Sequence, residues 1–107
     1  MKQTKNILII DTSSNKEVEV GLIKDKKKYL HKSPVDRKNQ MVLPLIEKLL
    51  KEHKISLNNI DEITVNPGPG SFTGLRVGVA IANTLGFLLK IPINGKEVGE
   101  IVEPEYS

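Results

Sequence analysis

An α/β domain built on a mixed β-sheet is what this sequence predicts, and three observations predict it. Residues 17–24, EVEVGLIK, alternate apolar and polar positions as a half-buried strand does, with further strand-like stretches on either side. Apolar residues then recur at helical spacing over 40–53 and again over 72–89, with a short apolar strand at 61–66 between them. A helix that links two strands implies a crossover and parallel neighbours, here beside an antiparallel edge.

The elements follow in order. Residues 6–12, NILIIDT, are apolar on both faces and rich in β-branched side chains, as expected of a strand at the centre of a sheet. Ser13-Ser14-Asn15 is a turn cluster. The second strand places Val18, Val20 and Leu22 on one face. Lys24-Asp25-Lys26 makes a polar turn into a weaker strand at 27–32, completing an antiparallel meander. In the first helix Met41, Val42, Leu45, Ile46, Leu49 and Leu50 form one apolar stripe. Pro44 leaves two starts open: a helix beginning near Met41 with the proline in its first turn, or a longer one beginning after Asp36 and kinked. The second helix covers 72–89, and 91–94 reads as a last short strand. One lobe therefore spans 1–95, and 96–107 form a polar, acidic tail with little to enforce order. The order strand, strand, strand, helix, strand, helix, strand resembles the ribonuclease-H-like lobe, the unit repeated in the actin and sugar-kinase (ASKHA) superfamily.

Bulk properties narrow the function. A chain of 107 residues suits one compact domain. With two Tyr, two Phe and no Trp, its core must be aliphatic. The absence of Cys excludes disulfides and thiolate metal sites, which fits a reducing cytoplasm. The apolar run at 7–10 is too short for a signal peptide. Net charge is +3, with Lys26, Lys27, Lys28, Lys32, Arg37 and Lys38 clustered early and Glu97, Glu100, Glu103 and Glu105 late. The basic cluster has no interleaved aromatic platform beyond Tyr29, so it reads as a solvated edge that discourages strand pairing rather than a nucleic-acid platform.

The most informative stretch is NPGPGSFTGLRVG at 66–78. It is a strand end, a stiff Pro/Gly turn and a helix start, with Ser71 placed to cap the helix by accepting from the N–H of Thr73 or Gly74. A helix N-terminus can cradle an anion. This one lacks the Lys-Ser/Thr ending of a phosphate loop, so a structural turn is the simpler reading. Gly74, Gly78, Ala82 and Gly86 recur every fourth residue, a row that permits close backbone approach. Each interior Gly costs roughly 0.8–1 kcal/mol against Ala, so a closely packed neighbour is expected on that row. The rest of the helix is apolar nearly all round. A membrane span is rejected, because the run is at the lower length limit and contains Arg76, Asn83 and three Gly. A protein partner is the better answer.

The stretch NPGPGSFTGLRVGVAIANTLGF resembles the signature of the TsaB (YeaZ) family, and ILIIDTSS and RKNQMVLPLIEKLL agree with it in the right order. The resemblance implies a role in making N6-threonylcarbamoyladenosine on tRNA. TsaB-like proteins contribute no known chemistry and pair through helices with TsaD, the transferase, while the ATPase TsaE engages the pair. Carried onto this sequence, the implied partner interface uses Met41, Leu45 and Leu49 of the first helix. From the second it uses Thr73, Gly74, Leu75, Arg76, Val77, Gly78, Ile81, Ala82 and Leu85. A homodimer through the same face is expected when TsaD is absent, and direct contact with tRNA is left open. Two departures stand out: the chain covers one lobe where the family has two, and Asn39 stands where the family often has His.

No enzyme is expected. In the superfamily a phosphate loop of the D-x-G-T/S type follows the first strand, and Asp11-Thr12-Ser13 occupies that place with Ser13 at the glycine position. A vestigial phosphate loop is the resulting expectation. A two-metal nuclease needs several carboxylates, and Asn66 offers an amide where a further acid would stand. His31 and His53 are not spaced as a metal pair, so neither a metal nor another cofactor is expected. The alternative is a remnant nucleotide-binding or hydrolytic domain.

Overall fold

The computed structural model describes residues 4–34 and 38–105, and side chains 38–40 lie outside that description together with Arg37. Its elements are β1 (Ile7–Asp11), β2 (Glu17–Lys24), β3 (Lys27–Pro34), α1 (Lys38–Glu52), a 3₁₀ turn (Leu57–Asn59), β4 (Glu62–Val65) and α2 (Phe72–Leu89). The strands form one mixed sheet in the order β3-β2-β1-β4. β1 lies at its centre, antiparallel to β2 and parallel to β4, as the alternation and the crossover predict.

The register puts one apolar row across the sheet: Ile10 faces Val20 and Val65, and Leu8 faces Leu22 and Ile63. α1 packs on β2 and β3, α2 packs on β4 and β1, and the two helices touch, so both cover this same face. Leu8, Ile10, Val18, Val20 and Leu22 are completely buried there. The expectation that β1 is covered on both faces is corrected, because Ile7 and Ile9 are only half-buried on the side without helices. Leu30 lies over Gly21 on that side, where an added Cβ would come within 2.7 Å of its Cδ2.

Local chemistry sets the boundaries. Asp25 and Lys26 both adopt positive φ (53° and 67°) between the paired Lys24 and Lys27, the signature of a two-residue type I′ hairpin. Of the two starts that Pro44 left open, the longer holds, since α1 runs from Lys38 with Pro44 inside it. Both helices end on a lysine in the left-handed conformation. After Lys54, the N–H of Ile55 donates to the Leu50 carbonyl at 3.0 Å, and after Lys90, that of Ile91 donates to Gly86 at 3.1 Å.

The last strand expected at 91–94 is reduced to a single parallel bridge, Ile63 to Ile93. The side chain of Asn94 explains why it stops. Its Oδ1 accepts from the Val65 N–H at 2.8 Å and its Nδ2 donates to the Val65 carbonyl at 2.9 Å, so an amide group completes the rung that a longer strand would supply.

Candidate functional site: the glycine-rich turn and the two faces of α2

At the carboxyl end of β1, Asp11, Thr12 and Ser13 come together with the turn after β4. Asp11 Oδ1 accepts from the Ser13 N–H at 3.0 Å and from its Oγ at 2.6 Å. Asn66 Nδ2 donates to Asp11 Oδ2 at 3.3 Å and to Ser13 Oγ at 3.1 Å, while Asn66 Oδ1 accepts from the Gly68 N–H at 2.9 Å. The Ser71 N–H donates to the Ser13 carbonyl at 2.8 Å, and Ser71 Oγ accepts from Gly74 N at 3.3 Å, the cap that the sequence predicts. A phosphate cradle is made of free backbone N–H groups at such a turn. Here those of Ser13, Gly68, Ser71 and Gly74 already have acceptors. Gly70 also rests so closely on the loop that a Cβ there would come within 2.5 Å of the Ser13 carbonyl oxygen. The arrangement is a closed hydrogen-bonded joint between β1 and α2.

Thr12 turns inward from this joint and is completely buried. Its hydroxyl donates to the Gly74 carbonyl at 2.5 Å, and a Cβ on Gly78 would collide with the same Oγ1. Gly86 likewise sits against Ile93, whose Cδ1 would lie 2.5 Å from an added Cβ. These contacts correct the reading of the small-residue row. It does need a close neighbour, but the neighbour is the end of β1 and the bridge strand of the same chain.

Burial divides the expected interface residues accordingly. Gly74, Leu75, Gly78, Ala82 and Leu85 belong to the buried face of α2, and Leu45 and Leu49 are buried beneath α1. They are core residues and present no surface to a partner. Thr73 and Arg76 are exposed, and Met41, Val77 and Ile81 are half-buried. The sequence signal missed the residues that do face outward, because their spacing is that of the opposite side of the helix. Phe72 (57% exposed), Phe87 (77%) and Leu88 (66%) lie there with Ala80 and Thr84, and Leu43 (53%) stands out from α1. Arg76 stacks on the Phe72 ring at 5.6 Å. Length and a mean hydropathy of 1.5 would let α2 cross a bilayer. Its glycine row seated on the sheet marks it instead as a domain helix with an uncovered apolar side.

The remaining candidates lie apart. His31 meets Glu52 at 2.6 Å on the surface between β3 and α1, and this bond holds the Glu52 carboxyl below the usual carboxylate range. The His53 ring packs on Tyr29 at 4.1 Å. Among the described residues no group of three or more His, Cys, Asp or Glu stands close enough to hold a metal ion. Lys26, Lys27, Lys28 and Lys32 of the early basic cluster lie along the edge strand β3 and its turn, where Lys32 is within 4 Å of Glu17 and Glu19.

With this geometry in hand, comparison with known proteins is specific. The family model described as "TsaD: tRNA N6-adenosine threonylcarbamoyltransferase" matches residues 35–95, more than half of the chain. A tRNA threonylcarbamoyladenosine biosynthesis protein TsaB from Buchnera aphidicola subsp. Schizaphis graminum is 38% identical over 90 residues, covering 83% of this chain and 42% of the relative. A tRNA N6-adenosine threonylcarbamoyltransferase from Nitrosospira multiformis is 43% identical over 54 residues, 50% of this chain and 16% of that one. The solved structure of YeaZ from Pseudomonas aeruginosa superposes with a TM-score of 0.81 at 29% identity, covering 88% of this chain and 44% of that protein. The chain thus spans about two fifths of the length of the curated TsaB relatives it matches.

Proposed function

This chain belongs to the TsaD family, in its TsaB (YeaZ) group, and from that premise we propose that it is a non-catalytic partner of a TsaD subunit in cytoplasmic synthesis of N6-threonylcarbamoyladenosine on tRNA. The observation that carries the proposal is the uncovered apolar side of α2. An 18-residue helix places Phe72, Phe87 and Leu88 in solvent while its opposite side is fully engaged by the sheet. Large apolar side chains left in solvent along one side of a helix are candidates for contact with a partner. Leu43 of α1 is likewise left in solvent. Two lobes meeting through these helices would form a four-helix contact, with a TsaD subunit or, in its absence, with a second copy. TsaE engagement belongs to the same proposed assembly.

The nucleotide-binding alternative finds less support. Asp11 is held by Ser13 and Asn66, and the N–H groups of Ser13, Gly68, Ser71 and Gly74 already have internal acceptors, so a phosphate seated on those groups would have to break the joint that seats α2. Co-expression with the TsaD of the same organism, followed by size-exclusion chromatography, tests the main reading. A co-eluting pair is the expected result, and two separate peaks at micromolar protein would overturn it. Melting curves with ATP and Mg²⁺ test the alternative, since a ligand that binds the folded state raises its melting temperature.

A further inference from the structure

The polar segment beyond the bridge at Ile93 docks on the lobe in an organised way. Residues 101–105 alternate between exposed and covered positions, as an extended peptide lying on a surface does. Val102 is 4% exposed and joins the aliphatic core. The Asn83 side chain of α2 brackets it, with Oδ1 accepting from the Val102 N–H and Nδ2 donating to the Val102 carbonyl, both at 2.9 Å. Further along, the Glu105 N–H donates to the Pro67 carbonyl at 2.6 Å. Gly68, at φ +116°, lets the turn approach, for a Cβ there would strike the Glu105 carbonyl oxygen. Lys96 lines the same surface as Glu103 and Glu105, and Arg76 the same surface as Glu103.

Every one of these contacts is of the kind that peptide receptors make. A side-chain amide reads main-chain N–H and C=O, one pocket takes one β-branched side chain, a backbone carbonyl fixes the next rung, and basic groups favour acidic neighbours. The tether is light. Between Asn94 and Ile101 it contains Gly95 and Gly99, both at positive φ with open space around them, and Val98 and Ile101 point into solvent. We propose that the channel between α2 and the Pro67-Gly68 turn is a receptor for an extended peptide of the pattern β-branched apolar, acidic, Pro, acidic, and that the chain's own residues 101–105 occupy it as a detachable clasp. The clasp lies along the flank of α2 at Arg76, Ala80 and Asn83, so its opening changes the surface bordering the uncovered apolar side.

The test is binding in trans. A fluorescent peptide of residues 99–105 is titrated into the 107-residue chain carrying Val102→Asp, which ejects its own clasp by placing a charge in the apolar pocket. Saturable binding with a Kd below about 1 mM is expected. The unaltered chain should bind more weakly, because its tethered segment competes at an effective concentration on the order of millimolar and raises the apparent Kd by about that amount. The double variant Val102→Asp/Asn83→Ala should not bind. Failure of the peptide to bind the folded Val102→Asp chain overturns the proposal, and so does equal binding to the unaltered chain. Should Val102→Asp not fold, hydrogen exchange on the unaltered chain decides. The Val102 and Glu105 amides should exchange together and much faster than those of β1, and Asn83→Ala should speed Val102 about tenfold while β1 is unchanged. Exchange of Val102 in step with β1 would make the segment part of the global core and sink the idea.

Discussion

Thr12 and Gly78 are the two sides of one contact, and that contact decides what the glycines of α2 are for. In an exposed helix, replacing Gly by Ala stabilises by about 0.8–1 kcal/mol. At Gly78 the sign should reverse, because the new methyl would collide with Thr12 Oγ1 and press on the hydroxyl that bonds Gly74. Gly78→Ala is expected to destabilise by about 1–3 kcal/mol in urea unfolding, the usual range for overpacking. Thr12→Ala should relieve part of this, so a double-mutant cycle is expected to give a coupling energy above about 0.5 kcal/mol. Additive losses would mean the two residues do not meet. The sequence made the row of small residues legible and the need for a close neighbour with it. It left open which neighbour, because spacing along a helix says that one side is small and cannot say which surface is pressed against it.

At the scale of elements, strand and helix positions followed closely from periodicity. β2 and α2 have the residue limits that alternation and helical spacing mark out. The misses have physical causes too. The last strand ends after one bridge because the Asn94 amide replaces backbone, a substitution that composition does not announce. The 3₁₀ turn at Leu57–Asn59 is too short to leave a period. Lys54 and Lys90 end their helices in a left-handed conformation that favours glycine, with φ of 56° and 57°. Lys90→Gly is accordingly expected to raise stability by up to about 1 kcal/mol, read as a higher urea midpoint at unchanged slope. An unchanged or lower midpoint would argue against that helix end.

The link between β3 and α1 carries a pH signature. His31 holds the Glu52 carboxyl below its ordinary value of 4.5, so the folded state favours the carboxylate more than the unfolded state does. That stabilisation is present above about pH 4.5 and is lost as pH falls through the lower folded value. Glu52→Gln should leave stability below that window almost unchanged and flatten its decline on acidification. A decline as steep as the parent's would show that His31 and Glu52 do not interact in solution. Replacing Lys26, Lys27 and Lys28 by Gln should leave pairing with TsaD intact if the edge strand is only solvated, whereas a flattened salt dependence of tRNA binding would assign these lysines to the nucleic acid.

For the whole molecule, the fold and the family were legible from three stretches of sequence, because NPGPGSFTGLRVG encodes a joint in which the Pro/Gly turn, the Ser71 cap and the glycine row all take part in seating α2 on β1. The proposed docking surface was legible only in part. Five of the nine residues expected on α2 proved to lie on its buried side, and the exposed side carries Phe72, Ala80, Phe87 and Leu88 beside Thr73, Arg76 and Thr84. Ala80 stands at the middle of that side, about 100° per residue placing it opposite Gly78 and Ala82. Ala80→Arg therefore adds bulk and charge without touching the core, and the melting temperature should stay within about 2 °C of the parent's. The affinity of the purified chain for the proposed partner, the TsaD of the same organism, measured by titration calorimetry before and after this change, tests the central claim most directly. A loss of at least about tenfold, 1.4 kcal/mol, is the predicted result. A folded Ala80→Arg chain that binds TsaD as tightly as the parent would place the interface elsewhere and contradict the account.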